Sequence, residues 1–346
     1  MPKVLVVGTS RKTRGGITSV IKTHETGQHW RDFNCRWIET HIDRSPLLKV
    51  GYFLRGMTQF LWRLPGTDIV HLHMAAVERK MPFVFIARLF HKKILIHLHF
   101  PDPQTTVFDK KKAPRYKWCL RRADRVIVLS KTWKDLLERE WGCTNLEVVY
   151  NPCPIVKPAP EYDVDQSAPY ILYAGNLSVR KGYADLIKAF AAVKDALPEW
   201  NLFFAGNGEI NHARELCSQY GISDRVKLLG WVSGEEKDKA FRNASAYCLP
   251  SYAEGFPMGV LDAWAYNLPV VTTPVGGLPD IVSNGENALI FKPGDIDGLA
   301  ECFTQLGNRA VREKLSVESK KLAETTFNVD NTNRRIGEIY TELIEE

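Results

Sequence analysis

The sequence predicts an α/β protein built from two doubly wound domains. Short apolar runs, typical of parallel strands buried on both faces, alternate with helical patterns along all 346 residues. The alternation falls into two successive series, as expected when each series forms its own parallel sheet. Between them lies the segment 151–169, NPCPIVKPAPEYDVDQSAP, whose repeated prolines block both a helix and a central strand.

Each series can be followed strand by strand. The first has predicted strands at Val4–Val7, Arg36–Ile38, Ile69–Leu72, Ile94–Leu98, Val126–Leu129 and Leu146–Val149. The second has them at Tyr170–Ala174, Leu202–Ala205, Val226–Leu229, Ala246–Leu249, Val270–Thr272 and Ala288–Phe291. Ligands of such sheets bind beyond the carboxyl ends of the strands, so the loops that follow the strands are where we expect chemistry.

The composition predicts an ordinary globular protein. The chain is 45% hydrophobic and 25% charged, which is enough apolar material for a full core. No run reaches the roughly 18 apolar residues that a membrane span needs, and the start, MPKVLVVGTSRKT, lacks the pattern of a signal peptide. The 7 cysteines are scattered and form no CxxC pair, so we expect reduced thiols and a cytoplasmic protein.

Positive charge is concentrated in the first half of the chain, although the formal net charge of the whole is only +6. The densest run is Lys110–Arg125, where cations alternate with Tyr116, Trp118 and Leu120. Such a run can dock on anionic lipid head groups; the alternative is a solvated helix whose apolar residues pack on the core. No nucleic-acid motif accompanies the charge, so nucleic acid is not an expected partner.

The segment 251–290 reads as a loop, a helix, a strand and a glycine turn in succession. A helix is predicted to begin at Pro257, because proline is well placed at a first helical position. The start of a helix has unpaired N–H groups and partial positive charge, so it can receive an anion such as a diphosphate. Gly255 and Gly259 are expected to keep side chains away from that anion.

Two carboxylates flank this anion site. Glu254 precedes the helix, and Asp262 lies about one turn inside it, where its side chain can lean back toward the loop. This arrangement suits a ligand with sugar hydroxyls on either side of a diphosphate. The sequence therefore predicts a site for a nucleotide sugar.

The run EGFPMGVLDAWAYNLPVVTTPVGGLPDIV resembles the signature of the GT-B-fold retaining glycosyltransferases of family 4, also called glycosyl transferases group 1. Glu254 matches the first glutamate of that signature, and Asp262 stands where the family has a second glutamate. The resemblance implies two Rossmann-like domains that face an interdomain cleft. It divides the chain into an acceptor-binding domain, 1–157, a donor-binding domain, 158–328, and a C-terminal helix, 329–346, that crosses back to the first domain.

The resemblance also assigns residues to the donor site. The loop GNLSVRKG supplies Lys181 for the diphosphate, and Asn176 stands where the family usually has an arginine, which Arg180 could replace. Glu254 would hold the donor sugar, Asp262 the ribose, and His99 the sugar from the first domain. The predicted catalytic residues are Glu254, Lys181 and His99. The predicted donor-binding residues are Gly15, Gly16, Asn176, Arg180, Lys181, Gly206, Asn207, Trp231, Glu254, Gly255, Phe256, Pro257, Met258, Gly259 and Asp262.

Two His-x-His pairs end predicted strands, His71 with His73 and His97 with His99, and residues two apart on a strand share a face. Four imidazoles raise the alternative of a metal site. No carboxylate lies at ligand spacing and the neighbours are apolar, so we predict that these histidines bind no metal and that the protein needs no cofactor. His97 is predicted to pack in the core, whereas His99 has the donor-sugar role that the resemblance assigns to it.

The function predicted from the resemblance is retaining, metal-independent glycosyl transfer of the hexosyltransferase class. The donor would be a UDP-sugar, with a GDP-sugar next, and the acceptor a saccharide or lipid-linked saccharide of bacterial surface polysaccharide or glycolipid synthesis. The protein would act in the cytoplasm, with an anionic membrane surface as a partner. Two alternatives are a nucleotide-sugar epimerase of the same fold and a catalytically weak partner subunit of a glycosyltransferase. The sugar, the acceptor and the oligomeric state are left open.

Overall fold

A computed structural model describes residues 2–100, 102–166 and 169–346. The chain forms two compact units, one of residues 1–152 with Val329–Glu346 and the other of Cys153–Asn328. Each unit contains one sheet of six parallel strands with helices packed on it. The predicted α/β class and its two parallel sheets are confirmed.

The sheet of the N-terminal unit has the strand order β2-β1-β3-β4-β5-β6. Its strands are β1 Val4–Gly8, β2 Arg36–Glu39, β3 Ile69–Met74, β4 Lys93–Leu98, β5 Arg125–Val128 and β6 Leu146–Val148. The helices between and beside them are α1 Gly16–Glu25, α2 Gln28–Asp32, α3 Pro46–Arg63, α4 Val77–Leu89, α5 Pro103–Phe108, α6 Ala113–Leu120 and α7 Lys131–Trp141. Helix α7 shows the local signals clearly, since Ser130 Oγ accepts from the N–H of Trp133 at its start and Gly142 takes the left-handed conformation at its end.

The sheet of the C-terminal unit has the order β12-β11-β10-β7-β8-β9. Its strands are β7 Tyr170–Ala174, β8 Asn201–Ala205, β9 Val226–Gly230, β10 Ala246–Leu249, β11 Val270–Thr272 and β12 Leu289–Ile290. Its helices are α8 Tyr183–Ala192, α9 Ile210–Gln219, α10 Glu235–Arg242, α11 Met258–Ala265, α12 Ile296–Leu306 and α13 Arg309–Glu324. The strand order reverses between β7 and β10, so the loops after these two strands diverge from a switch point, where open α/β sheets bind ligands.

The last helix, α14 Val329–Glu345, belongs to the N-terminal unit. Its apolar face places Ile336, Ile339 and Leu343 in one buried cluster with Val4 of β1 and Leu95 of β4. Burying each such side chain stabilises the unit by about 1.5–3 kcal/mol. Helix α14 therefore contributes part of the core beneath the first sheet. Among the described residues, no helix combines the length and the apolar character that a transmembrane span requires.

A buried lysine lies between α4 and the carboxyl end of β1. Lys80 is 6% exposed, and its Nζ donates to Thr40 Oγ1 at 2.8 Å and to the Val7 carbonyl at 3.3 Å. In the described part of the chain no carboxylate forms an ion pair with it. Burial, with a smaller contribution from the charge of Arg79, lowers the pKa of Lys80 from 10.5 to about 7.

Lys80→Met should abolish one component of the pH dependence of stability. Between pH 7 and the unfolded pKa near 10.4, the unfolded chain binds more protons at this position than the folded chain. The free energy of unfolding should therefore rise by roughly 1 kcal/mol per pH unit from about pH 7 to about 8.5, and the variant should lose that increment. Urea unfolding across this range measures it, with the exposed Lys12→Met as control. Equal slopes in wild type and Lys80→Met would contradict the buried-charge account.

Candidate active site

The loops after β7 and β10 bring three predicted site residues together in the C-terminal unit. Lys181 Nζ donates to Glu254 Oε1 at 2.5 Å, and an Arg180 guanidinium nitrogen lies 3.6 Å from Glu254 Oε2. Ser251 Oγ also donates to Glu254 Oε1, at 2.7 Å. One carboxylate therefore holds both predicted diphosphate-binding cations at the switch point of the sheet.

Burial makes this arrangement specific. The Glu254 side chain is 7% exposed and that of Lys181 17%, whereas Arg180 is 46% exposed. A carboxylate removed from water is costly unless it is paired and hydrogen-bonded. Glu254 satisfies that requirement through two cations and one hydroxyl, which fixes the direction of its carboxylate. Arg180 keeps a solvent-accessible guanidinium beside it.

Gly182 allows the two loops to approach each other. It has φ +68, and a Cβ at this position would lie 2.0 Å from the carbonyl oxygen of Pro250. Any other residue would therefore be strained by its backbone and would clash with the strand end. The same contact is reinforced by the Tyr252 N–H, which donates to the Arg180 carbonyl at 2.8 Å, and by the Arg180 guanidinium, which donates to the Ala253 carbonyl.

Helix α11 begins at Met258 with Pro257 as its N-cap residue, one position later than the prediction. No side chain caps its first N–H groups, so they are available to an anion. Gly259 has a packing role that the sequence did not reveal. A Cβ there would lie 2.1 Å from the Tyr247 hydroxyl, so this glycine is needed for packing of the helix on the sheet, and its role in clearing space for a ligand stays a prediction.

Asp262 has a partner that the sequence did not reveal. Its Oδ1 accepts from Lys237 Nζ of α10 at 2.7 Å, and its side chain is 17% exposed. Burial raises the pKa of Asp262, and the charge and hydrogen bond of Lys237 offset part of that rise. Lys237 lies in a highly charged helix that follows the edge strand β9, and only the strand order shows that this helix returns toward α11.

The other predicted donor-site residues follow adjacent strands of the same sheet. Asn176 is exposed after β7, and the Leu177 N–H donates to the carbonyl of Asn207, after β8, at 2.7 Å. Trp231 is 43% exposed just beyond β9. Phe256 differs from these residues, because it is buried and its ring packs 5.9 Å from that of Phe327. Its side chain therefore serves the core of this unit.

The N-terminal unit carries the remaining predicted residues. Gly15 and Gly16 are exposed at the start of α1, where no side chain caps the first N–H groups. His99 follows β4, is partly buried, and shares a hydrogen bond of 2.9 Å between its Nε2 and Nδ1 of His73. Both features lie at carboxyl ends of strands, as the sequence predicted.

Four histidines form a stack on one face of the N-terminal sheet. His71 and His73 are two positions apart on β3 and so share a face, and the register pairs His73 with His97 of β4. Ring centroids are 4.6 Å apart for His71 and His73, 4.9 Å for His73 and His97, and 4.5 Å for His97 and His99. At one end, Nδ1 of His71 shares a 2.7 Å hydrogen bond with the Tyr340 hydroxyl.

Burial keeps these imidazoles neutral. It lowers the pKa of His99 to about 3 and holds those of His71, His73 and His97 well below 6.5, with neighbouring histidines adding to the effect. Ligand atoms of His71, His73 and His97 lie within 4.8 Å of one another, the only such cluster found in the described residues. These three could hold a metal ion; that they hold none stays a prediction.

Two family models match the chain, one over each half. "Glycosyl transferases group 1" matches residues 159–322, and "Glycosyltransferase Family 4" matches residues 14–155. The chain belongs to glycosyltransferase family 4. The GT-B fold is supported by the structure of Anabaena Alr3699/HepE in complex with UDP and glucose. It has a TM-score of 0.82 at 16% identity and covers 99% of this chain and 100% of that one.

Curated relatives agree with the family assignment. An uncharacterized glycosyltransferase of Methanocaldococcus jannaschii, MJ1178, is 26% identical over 290 residues, 80% of this chain and 76% of the relative. A lipopolysaccharide 1,6-galactosyltransferase of Salmonella typhimurium is 29% identical over 187 residues, 52% of this chain and 51% of the relative. The chain spans about half the length of several of the curated relatives that it matches.

Proposed function

We propose that this family 4 protein is a retaining glycosyltransferase that moves a sugar from a nucleotide diphosphate sugar to a saccharide or lipid-linked saccharide. The observation that carries the proposal is the group of Lys181, Arg180 and Glu254 beside the uncapped start of α11. A UDP-sugar is the favoured donor and a GDP-sugar the next. The UDP complex of the structural neighbour and the named activity of the Salmonella relative support a UDP donor and a surface-glycan acceptor.

In the proposed reaction the bond from the anomeric carbon to the donor phosphate breaks, and the acceptor oxygen bonds to that carbon on the same face. The leaving diphosphate gains negative charge, which Lys181, Arg180 and the N–H groups of α11 can stabilise without reorganisation. Glu254 accepts hydrogen bonds from hydroxyls of the donor sugar. The departing phosphate takes the proton of the acceptor. In this proposal no carboxylate acts as a covalent nucleophile, and Lys181 and Arg180 take the place of a metal ion at the diphosphate.

Two further roles belong to the proposal. Arg180 lies beside Glu254 and would supply the guanidinium that the family usually places at the position of Asn176. His99 and the Gly15–Gly16 loop would contact the donor from the N-terminal unit. Asp262, held by Lys237, would accept from the ribose hydroxyls.

A thermal-shift panel of UDP, GDP and ADP sugars tests the donor site, and a transfer assay then tests the reaction. At about 100 times its dissociation constant, the correct nucleotide should stabilise the fold by about 2.7 kcal/mol. Asp262→Glu should keep this shift, because the longer acid can still pair with Lys237, whereas Asp262→Leu should lose it. Stabilisation by none of the nucleotides would contradict the proposal. Conversion of the donor without an acceptor would indicate the epimerase, and binding without turnover the partner subunit.

A further inference from the structure

The solvent-facing side of α3 is apolar. Leu47 is 85% exposed, Leu54 59% and Trp62 78%. The opposite side of the same helix is also apolar, since Phe60 is fully buried and its ring packs 5.0 Å from that of Phe83 on α4. A surface helix of a globular protein normally turns polar residues outward. An apolar outward face of this kind marks a surface that is covered in use.

Helix α4, which packs against α3, also has exposed apolar residues. Phe85 is 59% exposed, Leu89 65% and Phe90 46%, and the contact between Phe60 and Phe83 fixes α4 against α3. We call the exposed apolar residues of the two helices the α3–α4 face: Leu47, Leu48, Val50, Leu54, Leu61, Trp62, Phe85, Leu89 and Phe90.

The charge of α3 is predominantly positive, although Asp43, just before the helix, is paired with Lys49 at 3.5 Å. Residues 44–63 include Arg44, Lys49, Arg55 and Arg63 and contain no Asp or Glu. Arg55 and Arg63 also line a groove of about 340 Å³ between β2 and α3, together with Arg36. Within the described residues, none of these three groove arginines forms an ion pair with a carboxylate. The groove therefore offers free guanidinium groups next to an apolar surface.

The one acidic residue that lines the groove of about 340 Å³ already accepts hydrogen bonds within the protein. Glu39 lines the groove, but it accepts from Ser10 Oγ at 3.1 Å and from the Arg11 N–H at 3.0 Å. Trp62 and Arg63 line a second groove of about 310 Å³ with Lys3 and Arg36. Unpaired guanidinium groups of this kind suit phosphate oxygens.

We propose that the α3–α4 face docks this protein on an anionic phospholipid bilayer. Helix α3, about 27 Å long, lies in the plane of the interface with its apolar side chains among the acyl chains, and Arg36, Arg55 and Arg63 contact lipid phosphates. A second copy of the chain is a poor occupant, because a symmetric dimer would place this cationic patch opposite itself. Docking on the bilayer does not depend on the proposed function. Only the idea that docking brings the protein to a lipid-linked acceptor rests on the proposed transferase activity.

The run Lys110–Arg125 cannot insert in the same way. In α6, Tyr116 and Leu120 are buried, and Trp118 is partly buried and covered by the Arg122 guanidinium at 4.1 Å. The apolar residues of the run therefore face the protein, and its exposed cations can add only long-range attraction. This separates its contribution from that of the α3–α4 face.

Cosedimentation with vesicles tests the proposal on the full chain. Wild type should bind vesicles that contain phosphatidylglycerol and release as salt rises from about 0.05 to about 0.5 M, while phosphatidylcholine alone binds it weakly. The double variant Leu47→Glu/Leu54→Glu should bind at least tenfold less. Val317→Glu is the matched control, because Val317 is 64% exposed in the other unit, and its binding should not change. Arg55→Glu/Arg63→Glu should remove the preference for anionic vesicles.

Several outcomes of these measurements would overturn the proposal. No binding of wild type to either vesicle, or full binding of Leu47→Glu/Leu54→Glu, would overturn it. So would a change from dimer to monomer in that variant by light scattering, which would assign the face to a second copy. If Lys110→Ala/Lys111→Ala/Lys112→Ala lost more binding than Leu47→Glu/Leu54→Glu, the basic run would replace the α3–α4 face. An unchanged circular dichroism spectrum and melting temperature in each variant verify its fold without reference to a nucleotide. Failed transfer with intact vesicle binding would count only against the transferase.

Discussion

Lys181→Ala is expected to fold and to lose turnover by about a hundredfold or more, the scale for removal of one preorganised donor that stabilises developing charge. Lys181 Nζ contacts Glu254 at 2.5 Å, and the Lys181 side chain is only 17% exposed. Its position is therefore set before a donor binds. Its ammonium group is then available to the leaving diphosphate without the cost of ordering a flexible surface lysine.

Transfer measured at saturating donor and acceptor checks this prediction. The exposed Lys239→Ala, on α10 of the same unit, should leave turnover unchanged and controls for the loss of a positive charge. Because the variant leaves Glu254 with fewer partners, its thermal stability should also be recorded, and Lys181→Arg should recover part of the activity. Normal turnover of a folded Lys181→Ala would remove this residue from the reaction.

Glu254→Gln is expected to lower kcat/KM by about a hundredfold or more while keeping the fold, because glutamine has the same shape but no charge. The substitution removes the anion that holds Lys181 and Arg180 in place. It also replaces one of the two acceptor oxygens with an N–H donor. Both losses act on the donor sugar and its diphosphate together.

A double-mutant cycle gives the sharper measurement. Lys181 and Glu254 are in direct contact, so the effects of the two substitutions on kcat/KM should be far from additive. The double variant should have a kcat/KM little below that of the less active single variant. Glu235→Gln, exposed at the start of α10, controls for the loss of an acid. Strict additivity of Lys181→Ala and Glu254→Gln would mean that the two residues act independently, contrary to the geometry.

The local patterns were sufficient for the elements that position the site. Apolar runs marked the strands because parallel strands are buried on both faces, and every predicted run overlaps an observed strand. Pro257 marked the start of α11 to within one residue. Glu254 and Lys181 were singled out because each stands in a loop that follows a strand and matches a residue of the family signature.

Contacts between residues far apart in the sequence could not be predicted from local patterns. Lys181 and Glu254 are 73 positions apart, and Lys237 and Asp262 are joined across 25 positions by a helix that crosses the sheet. A hydrophobic period tells which side of an element faces inward, but it does not tell which other element it meets. The strand order decides that, and it depends on all crossover connections at once.

The sequence by itself determined the fold class through the local alternation of apolar runs and helical patterns. It indicated the family and the site residues through the resemblance of one run to a known signature. Only the tertiary structure decided that Gly259 serves packing, that Lys80 is buried, and that α3 turns an apolar face to solvent. Helix α3 is apolar on two sides, so its pattern is the same whether one side or both are covered by protein. Exposure is a property of the assembled chain, since it depends on which residues from elsewhere lie against each face.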